Sequence, residues 1–567
     1  MNKVQKNIKS VKKAGNFQNL PTNFAPNRVM IAAAVAGMFA IAIGAGVNFA
    51  KISNPKKSEI SFAGTDFGNF LAMQYAIFAD DFNAVEKYST LLSDTQIKSV
   101  QTNRAIAMFV AGKIDDSAGF LKDDKGLSAQ ITYAAYLIKK GDWQGVYNRF
   151  KNNDSQILAP IRIWSAVAVG KSADALKFID SIKGNDSWRA FIRGQVLSDT
   201  GKTDAAKKEF AKVAPDFLNL NDYLYLMAFY NAHGMHDEAE NLRISFTERA
   251  GGIYILNYAE NLGGGENAGA AANLRFSLIQ AVSHSPILAY SNMSLLLLRM
   301  AEIAGGEALS NDDALNYYLG AFFYNSGSDD KADEFFKRIG PDSLYQPFVL
   351  LKNAEKAGNF RQMRRQLMAA IDKNPLFMPA VLKLVDKNLQ KGRENDAIRV
   401  VNRALGAPGL TEMGRAFLLS LRARIYRQMG NFERADADIT HAGDLSPRDI
   451  GILSEQARIW AESGKNLDEA YQITLAILKS FPSDLFAWDT LGLIVWQKEG
   501  VDDALIIFEK VSRAAGTNSS LFKNLGDAYA ELNDTKKARE AYERALELSD
   551  DGQISESELR RKIRRLR

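Results

Sequence analysis

One rhythm constrains this chain more than any other feature: the same arrangement of small and aromatic residues returns about every 34 positions. Phe522, Leu525, Gly526 and Tyr529 are followed, after a turn, by Ala538, Tyr542 and Ala545. Thirty-four residues earlier stand Trp488, Leu491, Gly492 and Val495, then Ala504 and Phe508. Earlier copies are marked by Ala457, Trp460, Gly464, Ala470 and Pro482, and by Tyr426, Gly430, Ala435, Ala442 and Pro447. Others run through Gly392, Ala397 and Ala404; Gly358, Ala370 and Pro375; and Leu319, Gly320, Gly327, Ala332 and Phe336. Each unit reads as two helices joined by a tight turn, with proline where the second helix must stop. Such a pair leaves an apolar face that only the next pair can cover, so the stable object is the stack.

The pattern resembles the tetratricopeptide repeat, an aromatic, Leu-Gly and Tyr followed by Ala, an aromatic and often Pro within 34 residues. The resemblance implies an all-α fold, a right-handed α-solenoid. Leu491, Gly492, Ala504, Phe508, Leu525, Gly526, Tyr529, Ala538, Tyr542 and Ala545 would be its signature residues, with Gly and Ala where the two helices touch. The first half follows the rhythm less strictly: Gly194, Gly201, Ala206 and Phe210 form one unit and Tyr230, Gly234 and Ala239 another. We read 64–246 as degenerate repeats of this type, 311–549 as the C-terminal repeats and 550–567 as a basic capping helix. Between them, 247–310 loses the rhythm: "ERAGGIYILNYAENLGGGENAGA" shows no helical period, one returns at "NLRFSLIQAV", and "AEIAGGEALSNDDA" breaks it again. It reads as an irregular joint or insertion.

The N-terminus obeys a different pattern. Residues 1–28 form a basic tail that we place in the cytoplasm; between Arg28 and Lys51 lie 22 uncharged residues, and 51–63 is a linker. A helix over 29–50, rising about 1.5 Å per residue, crosses a hydrocarbon layer of roughly 30 Å. We expect a transmembrane helix preceding the solenoid, with a secretory signal peptide as the competing reading. Excess lysine before the span places the N-terminus in the cytoplasm and the repeats beyond the membrane. The expected location is a bacterial inner membrane, single-pass, with periplasmic repeats. Ala32, Ala36, Ala40 and Gly44 form a small-residue stripe through which a homo-oligomer would associate.

Charge is concentrated at the two ends. Residues 1–57 carry nine basic and no acidic side chains, and "RRKIRRLR" closes the chain, which leaves the body acidic although the whole is +5. A body without a continuous positive face gives no reason to expect nucleic-acid binding. The absence of cysteine removes thiolate metal sites and cysteine nucleophiles. His233 and His236 in "AHGMHDEA" lack further ligands at metal spacing, and 263–265 lacks the Gly-Lys-Ser/Thr of a phosphate loop. No catalytic residue, metal or cofactor is expected.

What the resemblance implies instead is a concave surface built from the first helix of each pair, on which protein partners lay an extended peptide or a helix. Carried onto this sequence, the partner-contacting positions include Arg424, Arg427, Arg458, Phe486, Trp496 and Lys523. Asp527 stands where the family's carboxylate-clamp pattern has asparagine, so a chaperone tail is not the expected ligand. The order of segments over 240–549 is similar to large bacterial envelope proteins of this repeat class, which act as adaptors or organise envelope assembly. The expected function is a membrane-anchored scaffold or adaptor for envelope proteins, not an enzyme. The alternatives are an anchored assembly factor for secretion, pili or polysaccharide export, and an enzyme with a site in 247–310.

Overall fold

The computed structural model describes residues 66–566 apart from 79–80, 93–97, 115, 250–268, 285–291, 307–311, 515–517, 550–553 and 555. The chain divides into two units, 1–63 and 64–567. The expected tail, span and linker therefore lie outside the described residues. Among the described residues no helix is long and apolar enough to cross a membrane.

Among its described residues the second unit consists of helices joined by turns, without a strand. Its elements are α1 Asp66–Phe78, α2 Phe82–Leu91, α3 Lys98–Val110, α4 Leu127–Lys139, α5 Trp143–Phe150, α6 Ala159–Ala168, α7 Ser172–Asp180, α8 Asp186–Asp199, α9 Thr203–Phe210, α10 Leu220–Ala232 and α11 His236–Arg249. They continue as α12 Gly269–Ser283, α13 Asn292–Gly305, α14 Asp313–Asn325, α15 Asp329–Phe336, α16 Gln346–Glu355, α17 Phe360–Lys373, α18 Met378–Gln390 and α19 Glu394–Leu405. The last are α20 Glu412–Gln428, α21 Phe432–Leu445, α22 Ile450–Ser463, α23 Leu467–Ser480, α24 Leu485–Glu499, α25 Val501–Ala514, α26 Ser519–Glu531, α27 Thr535–Glu547 and α28 Glu556–Arg565. From α4 onward, α12 and α13 apart, successive helices pack as antiparallel pairs that lean on one another.

Local chemistry sets the helix ends. Asn518 caps α26 by accepting from the Leu521 amide at 3.0 Å, and Asp534 caps α27 through Lys537 at 3.1 Å. The turn between them is made by Asn533 at φ 63°, a conformation that asparagine tolerates. Within a pair, the glycine of the first helix lies under an aromatic ring of the second, always sixteen residues later: Gly194 with Phe210, Gly320 with Phe336, Gly492 with Phe508, Gly526 with Tyr542. A Cβ on any of them would enter the ring's van der Waals envelope. All ten signature residues named above are buried.

This geometry reverses the usual sign of a glycine-to-alanine change. In α21, Gly443 has open space around it, so Gly443→Ala is expected to stabilise by about 0.5–1 kcal/mol. Gly526→Ala overpacks the pair and is expected to destabilise by about 1–3 kcal/mol. Urea titration of protease resistance at each pair checks both signs.

The segment 247–310 contains the least repetitive part of the fold. Its described residues form α12 and α13, which do not extend the stack. They turn back along it, α12 against α6 and α8, α13 against α3 and α4. One apolar core then runs from Phe109 through Trp164, Leu278 and Leu297 to Val349. In α13 every residue from Ser294 to Ala301 is buried, and α12 is buried at 273–275 and 277–280. A helix buried on all sides over two turns has no solvent face, and it lies inside the curve of the surrounding helices.

Candidate functional site

Two inner surfaces are available on a stack of this kind, and they differ. The N-terminal one is filled by its own chain. Trp164 on α6 donates from Nε1 to Ser277 Oγ at 2.9 Å, and Asp199 on α8 accepts from the Gly269 amide and Asn273 Nδ2, each at 3.0 Å. Asp222 accepts from Gln280 at 2.7 Å and meets His284 Nε2 at 2.5 Å, while Arg299 reaches the Val110 carbonyl at 3.2 Å. Burial moves the Asp199 carboxyl above its ordinary value, against the lowering effect of those two donors. His233, one of the pair weighed for metal, meets the Phe229 carbonyl and Thr203. Among the described residues no group of three or more His, Asp or Glu could hold a metal ion.

The C-terminal surface carries the six positions to which the family resemblance assigned partner contact. Most of them bond to neighbouring helices. Arg427 on α20 gives Nε to Glu455 at 2.6 Å and Nη1 to Glu462 at 2.9 Å, both on α22. Arg458 is fully buried; it meets Glu462 at 2.6 Å, Asp489 on α24 at 2.6 Å and Ser520 on α26 at 2.8 Å. Asn524 donates to both oxygens of Asp489. Arg424 reaches Asp386 at 3.3 Å, Phe486 lies under the Arg458 guanidinium, and Lys523 pairs with Asp527 at 3.0 Å. Arg427 and Arg458 are thus links between consecutive pairs, since the first helices stand side by side and bring opposite charges together. Burial alone would raise the Glu462 carboxyl, but Arg427 and Arg458 outweigh it and hold it down at about 2.

Beyond this ladder the surface opens. Between α24, α26, α27 and α28 lies a cleft of about 420 Å³, lined by Trp496, Asp527, Ala530, Glu531, Tyr542, Lys562, Arg565 and Leu566. Trp496 donates from Nε1 to Glu531 at 3.3 Å, and its ring meets Phe508 edge-on. Tyr542 and Lys562 both donate to Asp527, at 2.6 and 2.8 Å. Burial would raise the Asp527 carboxyl, but Lys523 and Lys562 hold it below its ordinary value. Arg565 is exposed on the rim. Of the six positions, Trp496 alone lines this cleft. The cross-pair bonds were missed at the sequence level, although opposite charges about one repeat apart, such as Arg458 and Asp489, were the available signal.

Residues 519–551, the pair that forms the cleft's floor, match the family model of the tetratricopeptide repeat. This segment is of the tetratricopeptide type. No curated protein matches the chain. Among solved structures, a tetratricopeptide repeat protein from Parabacteroides merdae is similar at 14% identity over 45% of this chain and 98% of its own, with a TM-score of 0.37. The Cut9–Hcn1 hetero-tetramer of the APC/C is similar at 15% identity over 88% of this chain and 96% of its own, with a TM-score of 0.31. The tetratricopeptide pair α26–α27 thus supplies Asp527, Ala530, Glu531 and Tyr542 to the cleft, and α28 closes its far side.

Proposed function

We propose that the chain is a membrane-tethered scaffold whose C-terminal tetratricopeptide groove takes up a segment of a protein partner. The observation that carries this reading is the contrast between the two inner surfaces: one is filled by α12 and α13, the other ends in an open cleft with an aromatic floor. A cleft with Trp496 and Tyr542 beside the Arg565 guanidinium suits a peptide that presents an apolar or aromatic side chain next to a carboxylate. The tether is the apolar segment 29–50, with the repeats on the periplasmic side of a bacterial inner membrane. Tethering raises the local concentration of any partner bound nearby.

A photoreactive residue at Ala530 is expected to give a protein adduct in cells, and the adduct is expected to disappear with Trp496→Ala. Absence of any adduct from Ala530 and from Arg565 would remove the groove from the account. Reporter fusions after residue 57 test the tether; activity of a cytoplasmic reporter there would overturn the topology.

A further inference from the structure

The acidic body of the second unit carries one basic edge, and it is assembled from two segments far apart in sequence. In α28, Leu559 is buried and Ile563 and Leu566 are half-buried against the array, which turns Arg560, Arg561 and Arg564 outward. Ser557, one turn before them, lies against the α18–α19 turn: a Cβ on Gly392 would stand 3.5 Å from Ser557 Oγ. The curve of the C-terminal array therefore closes its capping helix onto a pair that begins near residue 378. On either side of Gly392 are the exposed Lys391 and Arg393, and the Arg393 guanidinium lies 5.2 Å from the centroid of the Phe360 ring at the start of α17. Arg361, Arg364 and Arg365 follow at once on the exposed side of α17. Among the described residues no carboxylate stands within ion-pairing distance of Arg361, Arg364, Arg365, Lys391, Arg561 or Arg564. This sets them apart from the ladder, where nearly every arginine is paired.

Helix stability does not explain the arginines of α17. A cation in the first turn opposes the positive end of the helix dipole, and α17 has Arg361 there with no acidic residue in that turn. Six unpaired cations along one edge also repel one another, so their arrangement is favourable only when an extended anion lies against them.

We propose that this edge, Arg361, Arg364 and Arg365 with Lys391, Arg561 and Arg564, docks on the anionic lipid headgroups of the membrane that holds the chain. The proposal rests on the tether reading above. Lipid is favoured over other polyanions because an acidic body held beside a negatively charged bilayer is repelled everywhere except at its basic edge. Each basic residue near such a surface adds to the attraction, so several together set the orientation of the body. The docked edge would present the partner cleft at a fixed height above the membrane.

The test uses the full chain in lipid nanodiscs, with a fluorophore on Gln362→Cys, a unique thiol in a chain without cysteine. Discs of phosphatidylcholine alone and discs containing phosphatidylglycerol each carry a headgroup-linked quencher. We expect the docked fraction to be at least tenfold higher with phosphatidylglycerol and to fall to the neutral-lipid level with Arg361→Glu, Arg364→Glu and Arg365→Glu together. Arg415→Glu, an exposed arginine on α20, is the control expected to change nothing. Equal quenching in the two discs overturns the proposal. So does tight binding of a labelled single-stranded oligonucleotide that the triple variant abolishes, when the lipid response is absent. A chain that fails to copurify with discs at all sinks the tether instead; sedimentation with phosphatidylglycerol vesicles then decides the edge alone, binding supporting it and no binding overturning it.

Discussion

Replacing Trp164 with alanine is expected to open the N-terminal half of the array, and not the C-terminal half. The indole is fully buried between α6 and α12, and its Nε1 is bonded to Ser277. Truncating a buried Trp costs about 3–5 kcal/mol, and the Ser277 hydroxyl is left without its donor in an apolar surrounding. Because α12 and α13 share one core with α3 to α8 and α14 to α16, the loss is spread over that whole region. Native-state proteolysis, which follows the population of opened molecules, should rise by two orders of magnitude or more for α3 to α8 and α12 to α16. Residues 450–547 belong to separate core clusters and should be cut at the wild-type rate. A uniform rise along the chain would contradict this division.

The second large effect is expected at Asp489. Its carboxylate has no solvent exposure and accepts from Arg458, Ser520 and Asn524. Asp489→Ala leaves the buried Arg458 with Glu462 as its only carboxylate partner among the described residues and strips Asn524 of its acceptor. Removing one partner of a buried pair costs about 3–5 kcal/mol, more than the pair adds over an apolar replacement, because the remaining charge is uncompensated. The loss should appear as lowered protease resistance of α22 to α27. Acid probes the same network from the other side. Glu462, held at about 2 in the fold against an ordinary 4.5, contributes stability that is complete above pH 4.5. That contribution is lost as the pH falls from 4.5 toward 2. Glu462→Gln is expected to be less stable at pH 7 and to lose less on acidification; an unchanged acid profile would show that the arginines do not act through this carboxylate.

How much of this was legible in the sequence depends on what each residue faces. Gly492 and Gly526, with Phe508 and Tyr542 sixteen positions later, could be read because each contact is made within one pair. Of the hairpin α12–α13, a helical period shows only over 273–282, within α12, and its enclosure by the array does not show. Helical periodicity is visible only when one face is wet, and Ser294 to Ala301 are buried all round. Part of the stretch that broke the rhythm, Ser294 to Ala301, is therefore enclosed by the array. The groove residues show a second limit. The family resemblance implies that Arg427 and Arg458 face a partner, yet Glu455, Glu462 and Asp489 answer them from neighbouring helices. A single repeat does not display a bond to a residue 28, 31 or 35 positions away. The contact between Gly392 and Ser557 lies further still from the sequence, because it depends on the accumulated curvature of every pair between them.

The most direct test of the central claim, that α12 and α13 are an internal occupant of the N-terminal groove, is native-state hydrogen exchange on the unmodified chain. The account predicts that amides of α12 and α13 open with the same free energy as those of α4 and α6, as members of one cooperative unit. Exchange of α12 and α13 at the rate of an exposed hairpin, while α4 and α6 stay protected, would contradict it.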